Sequence, residues 1–309
     1  MRLGIRFHPE WNPDGLVSYA QSVEELGYHE LWFSEDCFWP GGMALAGAAL
    51  AVTSRIGVGV GLFAAPVRNP ATAAMEITSL ATLAPGRFTA AFGHGLAIWM
   101  EQIGVRPAEP VAFLEETVDA VHRLLAGELI NVSTKRLHLE DVQLGTVPSV
   151  PPPILVGTTG PKGFAVACKC ADGVLLPELS CPASVRWTRE VIAASGAPGQ
   201  LVAFAHMKLD DDRARAVAAV EPLIMALARS GAFPHLLRLA EVDPFSDRPL
   251  NPETVQSMSV SGTREDCLEA LQRWEECGVD TLVLLPPTAD GPGQVERFAA
   301  EVLPALRPD

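Results

Sequence analysis

Residues 55–95 decide the fold of this chain: they read RIGVGVGLFAAPVRNPATAAMEITSLATLAPGRFTAAFGHG. The apolar run at 55–61 predicts a strand, and residues 69–84 carry apolar side chains at helical spacing until a Pro-Gly pair ends the helix. A second strand follows and runs into a glycine-rich turn at 93–95. Glycines at the carboxyl end of a strand let a ligand approach the backbone closely. Two successive units of this kind predict a parallel barrel with its site at the strand ends.

The same alternation of strand and helix continues along all 309 residues. Strands are predicted at 2–7, 30–34, 55–61, 88–93, 154–156, 173–176, 201–209 and 281–285, with helical periodicity between most of them. Eight strands and eight helices in this order predict a (β/α)8 TIM-type barrel, a single domain over residues 1–309. Residues 128–152 are interpreted as a small polar hairpin, and 231–261 as a long loop before strand eight that serves as a lid.

Composition excludes several classes of function. The net charge of −14 leaves no basic footprint for nucleic acid, and the longest apolar stretch, 43–52, is too short to span a bilayer. The chain starts directly in a strand, so we expect no signal peptide, and six scattered cysteines predict reduced thiols in a cytoplasmic protein. Cys168 and Cys170 lack a second ligand pair, so they are interpreted as helix core and no metal site is expected.

A set of segments, in order, resembles the luciferase-like monooxygenase superfamily, in particular its branch of flavin- or coenzyme F420-dependent reductases. The matching segments are LWFSED (31–36), residues 55–70, PGRF (85–88), FGHG (92–95), WMEQ (99–102), residues 153–173, GTREDC (262–267) and GVDTLV (278–283). The resemblance implies a barrel that holds the deazaflavin F420, or alternatively FMN, at its strand ends. It also implies hydride chemistry at the ring, a small organic substrate and a homodimer, but it does not fix the substrate.

The phosphate of the cofactor is predicted at the turn GPKG. Gly160 precedes a helix start, Lys162 adds a positive charge, and Gly163 lies in the first turn. Free N–H groups and the positive end of the helix dipole favour a phosphate there. An ordinary Gly-Pro turn is the alternative.

The resemblance places two more segments beside the cofactor. Gly93, His94 and Gly95 match a turn beside the cofactor tail, although His94 equally suits a helix cap. Gly61 and Leu62 match a segment where relatives carry a non-proline cis peptide bond that supports the ring from behind. A glycine-softened strand with ordinary trans bonds is the alternative.

A pair of carboxyls, Glu35 and Asp36, directly follows strand two and should face the strand-end pocket. Adjacent carboxyls repel where water is scarce, so one of them should have a raised pKa and act as a general acid. Relatives often have a histidine at the second position, so the Glu-Asp pair is a departure. A helix cap plus a solvated charge is the alternative.

Further side chains at the predicted mouth are assigned to the substrate side. His8 ends strand one and joins the catalytic set, and Glu10 falls where deazaflavin-dependent relatives carry a glutamate. Either residue equally suits a contact with the loop backbone. Trp39 and Trp99 are predicted to wall an apolar substrate pocket, with ordinary packing as the alternative.

We therefore expect an oxidoreductase that transfers hydride between F420 or FMN and a small molecule. One alternative is a monooxygenase that takes reduced FMN from a separate reductase. A non-catalytic relative that binds flavin is another. No nucleic acid or membrane is expected among its partners.

Overall fold

The computed structural model describes residues 1–196, 199–246 and 248–306. Its strands are β1 (Arg2–Phe7), β2 (Glu30–Phe33), β3 (Gly57–Ala64), β4 (Phe88–Gly93), β5 (Ile130–Ser133), β6 (His138–Val142), β7 (Ile154–Gly157), β8 (Gly173–Leu176), β9 (Gln200–Leu209), β10 (Ser259–Gly262) and β11 (Thr281–Leu285). Its helices are α1 (Leu16–Leu26), α2 (Gly42–Val52), α3 (Pro70–Leu83), α4 (Ala97–Gln102), α5 (Pro110–Leu125), α6 (Pro161–Cys170), α7 (Pro182–Ser195), α8 (Arg213–Arg229), α9 (Pro234–Leu239), α10 (Pro252–Ser257), α11 (Arg264–Glu276) and α12 (Gly291–Glu301).

Eight strands close into a parallel ring in the order β1, β2, β3, β4, β7, β8, β9, β11. The ring closes because β9 pairs with β8 through residues 200–203 and with β11 through residues 202–206. Since β11 also pairs with β1, no barrel edge is left open. The predicted (β/α)8 barrel is confirmed. All eight carboxyl ends meet at one mouth, where barrel enzymes place their sites.

One tryptophan fills the middle of the barrel. Trp32 on β2 is fully buried and packs edge-on against Phe204, with 5.7 Å between ring centroids. Its indole N–H donates to Glu30 Oε2 at 2.7 Å. Gly59 on β3 leaves room for the ring, because a Cβ there would lie 2.3 Å from Trp32 Cδ2. This glycine therefore admits the chain's own tryptophan rather than a ligand.

The peptide bond between Gly61 and Leu62 is cis, as predicted. At this point the pairing of β3 with β4 shifts between Gly61 and Phe63. A Cβ on Gly93 or on Gly157 would lie 2.5 Å from Leu62 Cδ2. Leu62 thus lies against glycines on two neighbouring strands and packs on the apolar cluster inside the barrel. It closes that interior on the side of the mouth.

Two segments outside the ring were predicted with different success. The hairpin within 128–152 is present as the antiparallel pair β5 and β6. The segment 231–261 is not one long loop: it holds α9, α10 and β10, and β10 pairs with residues 206–209 of β9. Apolar residues of both helices join a cluster with α8. These elements are four to six residues long, too short to show a period in the sequence.

We expect hydrogen exchange to divide this segment. Amides of α9 and α10 should be protected before any ligand is added, because Leu236, Leu237 and Val255 are buried. Residues 243–246 should exchange fast, since Phe245 is 89% exposed there, and should slow when cofactor and substrate bind. If ligands do not change the rate of hydrogen exchange at residues 243–246, this segment does not act as a lid.

Candidate active site

Arg6 and His206 form a polar layer directly above the apolar interior. Val202 and Phe204 on β9 belong to the interior cluster, so His206, two residues further on, faces the same way. A Cβ on Gly4 would contact Trp32, which places Gly4 and, by the same alternation, Arg6 on the inner face of β1. Arg6 and His206 are only 7% and 8% exposed. Within the described part of the chain, Arg6 Nε and His206 Nε2 have no hydrogen-bond partner.

Asp36 is a half-buried acid at the mouth. Burial, and after it the nearby carboxylate of Glu178, raises the pKa of Asp36 to about 6, against the opposing charge of Arg6. Arg6 Nη1 in turn donates to Glu178 Oε1 at 2.8 Å. The raised carboxyl matches the expectation from the sequence. The neighbour that repels it is Glu178, at the end of β8, and not the adjacent Glu35.

The negative charge of Glu35 is balanced by an ion pair with Arg68. Arg68, beyond the end of β3, donates to both carboxylate oxygens of Glu35, with 2.6 Å from Nη2 to Oε1. Arg68 Nε also donates to Glu76 Oε2 at 2.7 Å. This ion pair explains why Glu35 does not perturb Asp36 as the sequence suggested. A catalytic function of Glu35 stays a prediction, and its geometry favours a supporting one.

His8 is a neutral bridge between the ends of β1 and β11. Its Nδ1 accepts from the backbone N–H of Glu10 at 3.2 Å, so the ring proton lies on Nε2. Nε2 then donates to Thr288 Oγ1 at 3.1 Å. Burial, with a smaller contribution from the charge of Arg6, lowers the pKa of His8 to about 4. Near pH 7 this side chain is a hydrogen-bond donor and not a cation.

The start of α6 has the properties expected of a phosphate site. Pro161 is the first helical residue, as predicted, and the N-cap Gly160 provides no side-chain acceptor for the first N–H groups. No atom lies within 4 Å of the position that a Cβ on Gly160 would take. Lys162 is exposed at the same helix end. Gly163 lets the helix pack closely on β7, because a Cβ there would overlap Thr158 Oγ1 at 1.9 Å.

The turn after β4 lies beside this helix start, because β4 pairs with β7. Gly95 has φ 70°, and a Cβ there would lie 2.8 Å from Ala64 Cβ. Burial lowers the pKa of His94, opposed by the backbone carbonyl of Pro110. His94 Nδ1 is buried and has no hydrogen-bond partner among the residues described. Its hydrogen-bonding capacity is therefore not used by any described residue.

The three remaining candidates lie at the rim. Glu10 and Trp39 are exposed, and Trp99 is half-buried on α4. Trp11, beyond the end of β1, donates its indole N–H to the Thr288 carbonyl at 2.8 Å. Substrate contacts of Glu10, Trp39 and Trp99 stay predictions.

Sequence reasoning missed four residues of the mouth: Glu178, His206, Gly157 and Arg68. A signal for His206 was available in the sequence. Side chains alternate along a strand, and His206 lies on the inward-facing side of the predicted strand at 201–209. Glu178 lies two residues after β8, the predicted strand at 173–176, and this position is at the mouth of a barrel. The pairing of Arg68 with Glu35 had no sequence signal, because 33 residues separate the partners.

In 1–196, 199–246 and 248–306, no group of three or more His, Cys, Asp and Glu side chains could hold a metal ion. No helix of those ranges is long and apolar enough to cross a membrane. All six cysteines are free.

A closed parallel barrel that gathers its buried polar groups at the strand ends belongs to the TIM-barrel enzymes. More narrowly, this chain belongs to the luciferase-like monooxygenase family, whose family profile matches residues 3–281. The prediction of an oxidoreductase of this family is thereby confirmed.

Relatives of known activity match almost the whole chain. It is 24% identical over 335 aligned positions to the 5,10-methylenetetrahydromethanopterin reductase of Archaeoglobus fulgidus, with 99% of this chain and 100% of that protein covered. It is 26% identical over 328 positions to the F420-dependent glucose-6-phosphate dehydrogenase of Beutenbergia cavernae, with 99% and 98% covered. The solved coenzyme F420 dependent tetrahydromethanopterin reductase of Methanopyrus kandleri has a TM-score of 0.85 at 17% identity over 99% of both chains, a likeness in fold.

Proposed function

We propose that this protein uses coenzyme F420 to transfer hydride to or from a small organic substrate. The observation that carries the proposal is Asp36, a half-buried carboxyl with a pKa of about 6, at a mouth whose floor is apolar. Such a group can give or take a proton near neutral pH. The F420-dependent relative that matches nearly the full length of the chain supports the deazaflavin over FMN.

The residues present fit such a cofactor. The uncapped start of α6 would hold its phosphate through N–H groups and Lys162. His94 Nδ1, buried without a partner in the described chain, would contact the tail. Leu62, seated against Gly93 and Gly157, would support the ring from behind. The cofactor would therefore lie across the β3, β4 and β7 sector of the mouth.

The chemistry divides between cofactor and protein. When bound, the deazaflavin gives or receives the hydride. In the reducing direction the substrate carbon gains that hydride, and Asp36 gives a proton to the substrate heteroatom and is left as a carboxylate. In the oxidising direction the same carboxylate takes the proton of the substrate hydroxyl. The charge of Arg6 acts against burial and against Glu178, and so limits the cost of the negative charge that appears on Asp36.

Lys162→Ala is expected to weaken F420 binding by about 1–3 kcal/mol, the scale of a lost charged hydrogen bond. Lys135→Ala is the matched control, because Lys135 is an equally exposed lysine on the turn between β5 and β6. Fluorescence titration at low and moderate salt measures both. Equal affinity of the two variants would remove Lys162 from the site.

The proposal includes a homodimer that covers α2 and α3. α2 (GMALAGAALAV) has no charged residue, and a helix that is apolar on all sides is normally buried. Yet Ala44 and Ala51 of α2 are exposed, as are Met75 and Leu83 of α3 at 59% and 56%. A second copy of the chain, as the family resemblance implies, is the occupant that we propose for this face.

Ala51→Glu should convert the dimer to a monomer, because it places an unpaired charge in the apolar interface. Ala218→Glu, at an exposed position of α8, is the control and should remain dimeric. Sedimentation velocity distinguishes the two species. A wild-type chain that sediments as a monomer would contradict the proposal.

A cytoplasmic location and a separate reductase that regenerates the reduced cofactor complete the proposal. The six free cysteines support the location, since disulfides are typical of oxidising compartments.

A further inference from the structure

Two buried polar atoms in the mouth are left without partners by the fold itself. Arg6 Nε and His206 Nε2 both lie in the layer above Trp32 and Phe204, and neither has a hydrogen-bond partner in the described chain. Buried polar groups are nearly always hydrogen-bonded, so an orphan of this kind calls for an explanation. Two orphans in one layer, directly below the mouth, indicate a ligand.

The position of these atoms separates them from the proposed cofactor. The helix start at α6 and the Leu62 floor lie on the β3, β4 and β7 side of the ring. Arg6 and His206 lie on β1 and β9, which are separated only by β11 on the opposite side. Asp36, at the end of β2, stands next to this second sector. A molecule held there would face the cofactor ring and the proton donor together.

The donor chemistry specifies what can bind. Arg6 Nε–H is always a donor, and the Nε2 of a neutral imidazole either donates or accepts, depending on the tautomer. A carbonyl oxygen can accept from both atoms. A hydroxyl group can accept from Arg6 and donate to His206. One oxygen atom thus satisfies the two orphans together.

The charges of the sector argue against an anion. The charge of Arg6 is cancelled by Glu178, which it contacts at 2.8 Å. Burial lowers the pKa of His206, like that of His8, to about 4, so both rings are neutral near pH 7. Asp36 adds either no charge or a negative one. A carboxylate or phosphate would therefore enter a sector that is neutral to negative, after losing its water.

We infer that Arg6 Nε and His206 Nε2 bind one oxygen of the substrate, and that this subsite takes an uncharged hydroxyl or carbonyl group. The inference rests on the proposed function, because it assumes that the substrate lies opposite an F420 ring. It narrows the substrate class to small alcohols, ketones and aldehydes with an apolar body that contacts the floor of the mouth.

The test follows the imidazole of His206 by nitrogen NMR. Protein labelled with ¹⁵N-histidine has seven histidines, and loss of one signal in His206→Gln assigns the resonance. The F420-loaded protein is titrated with a C3–C8 series of ketones and alcohols, and with carboxylates and phosphate monoesters of matched carbon skeleton. We expect saturable shifts of the His206 Nε2 signal with neutral probes, and at least ten-fold weaker binding of every matched anion.

A variant pair provides the second measurement. His206→Phe should lower the affinity for the tightest-binding neutral probe at least ten-fold. His138→Gln, at an exposed site on β6, should leave that affinity unchanged. Anions that bind as tightly as their neutral counterparts overturn the inference, and so does a series in which no probe shifts the signal. Cofactor occupancy is read separately from F420 fluorescence. Failure with F420 bound therefore refutes the subsite alone, whereas failure to load F420 refutes the proposed function.

Discussion

Asp36→Asn should lower the rate of hydride transfer more than ten-fold and leave cofactor affinity unchanged. The amide cannot give or take the proton, so the substrate heteroatom has no partner in the transition state, a loss of more than about 1.4 kcal/mol. The measurement is single-turnover reduction or reoxidation of the bound ring from pH 5 to pH 9. Glu35→Gln is the matched variant, and it should lose less because Arg68 already holds Glu35.

The pKa of Asp36 predicts how the rate of hydride transfer should change with pH. Asp36 has a pKa of about 6, so the protonated form is lost as the pH rises through 6. Wild-type substrate reduction should therefore slow above pH 6, and oxidation should accelerate, while Asp36→Asn shows neither trend. Wild-type rates from Asp36→Asn would make the residue structural, although it caps no helix, because the N-cap of α2 is Gly41.

The same substitution should stabilise the folded protein at alkaline pH. Because the pKa of Asp36 is raised from 3.8 to about 6 on folding, its contribution to stability is lost as the pH rises through this window. Asp36→Asn removes that loss. The variant should therefore have a free energy of unfolding about 1–3 kcal/mol higher than wild type at pH 8, and the same free energy of unfolding near pH 3. Urea unfolding at both pH values measures it. A loss of both stability and turnover at pH 8 would point to misfolding and not to chemistry.

Gly59→Ala should destabilise the fold by about 3 kcal/mol or more, the upper end of overpacking effects. The new Cβ would lie 2.3–2.5 Å from three ring atoms of Trp32. That ring cannot move aside easily, because Phe204 packs against it and Glu30 holds its N–H. Thermal and urea unfolding measure the effect.

Two further variants make the explanation specific. Gly145→Ala is the control, since a Cβ there meets no atom within 4 Å. Trp32→Leu in the Gly59→Ala background should restore part of the stability, because the smaller side chain relieves the clash. A nearly neutral Gly59→Ala would show that Trp32 does not fill the barrel as described.

The pair Trp32 and Gly59 also marks the limit of what the sequence could predict. The alternation of strands and helices was sufficient to predict the barrel, because each unit shows its own period. Which residue faces which glycine depends on register, and Trp32 lies opposite Gly59 only because β2 and β3 pair in that register. A register between strands separated by a helix leaves no local pattern. The space that Gly59 leaves for Trp32 could therefore not be predicted.

The candidate site, like the fold, could be predicted only in its local features. Asp36 and the helix start at Gly160 were predictable, because strand ends and helix caps are local features. The contribution of Glu178 to the raised pKa of Asp36, which comes second to burial, was not predictable, since Glu178 follows a different strand, β8. Side-chain alternation could place His206 on the inner face of its strand, but only the closed ring shows which residues it faces. Contacts through space, and not local patterns, complete the candidate site.

Titration of the purified protein with F420 and with FMN tests the central claim most directly. We predict saturable binding of one F420 per chain, weaker binding of FMN, and a loss of F420 affinity in Lys162→Ala but not in Lys135→Ala. Tighter binding of FMN than of F420 would contradict the deazaflavin assignment and favour the monooxygenase alternative. Binding of neither cofactor would contradict the account as a whole.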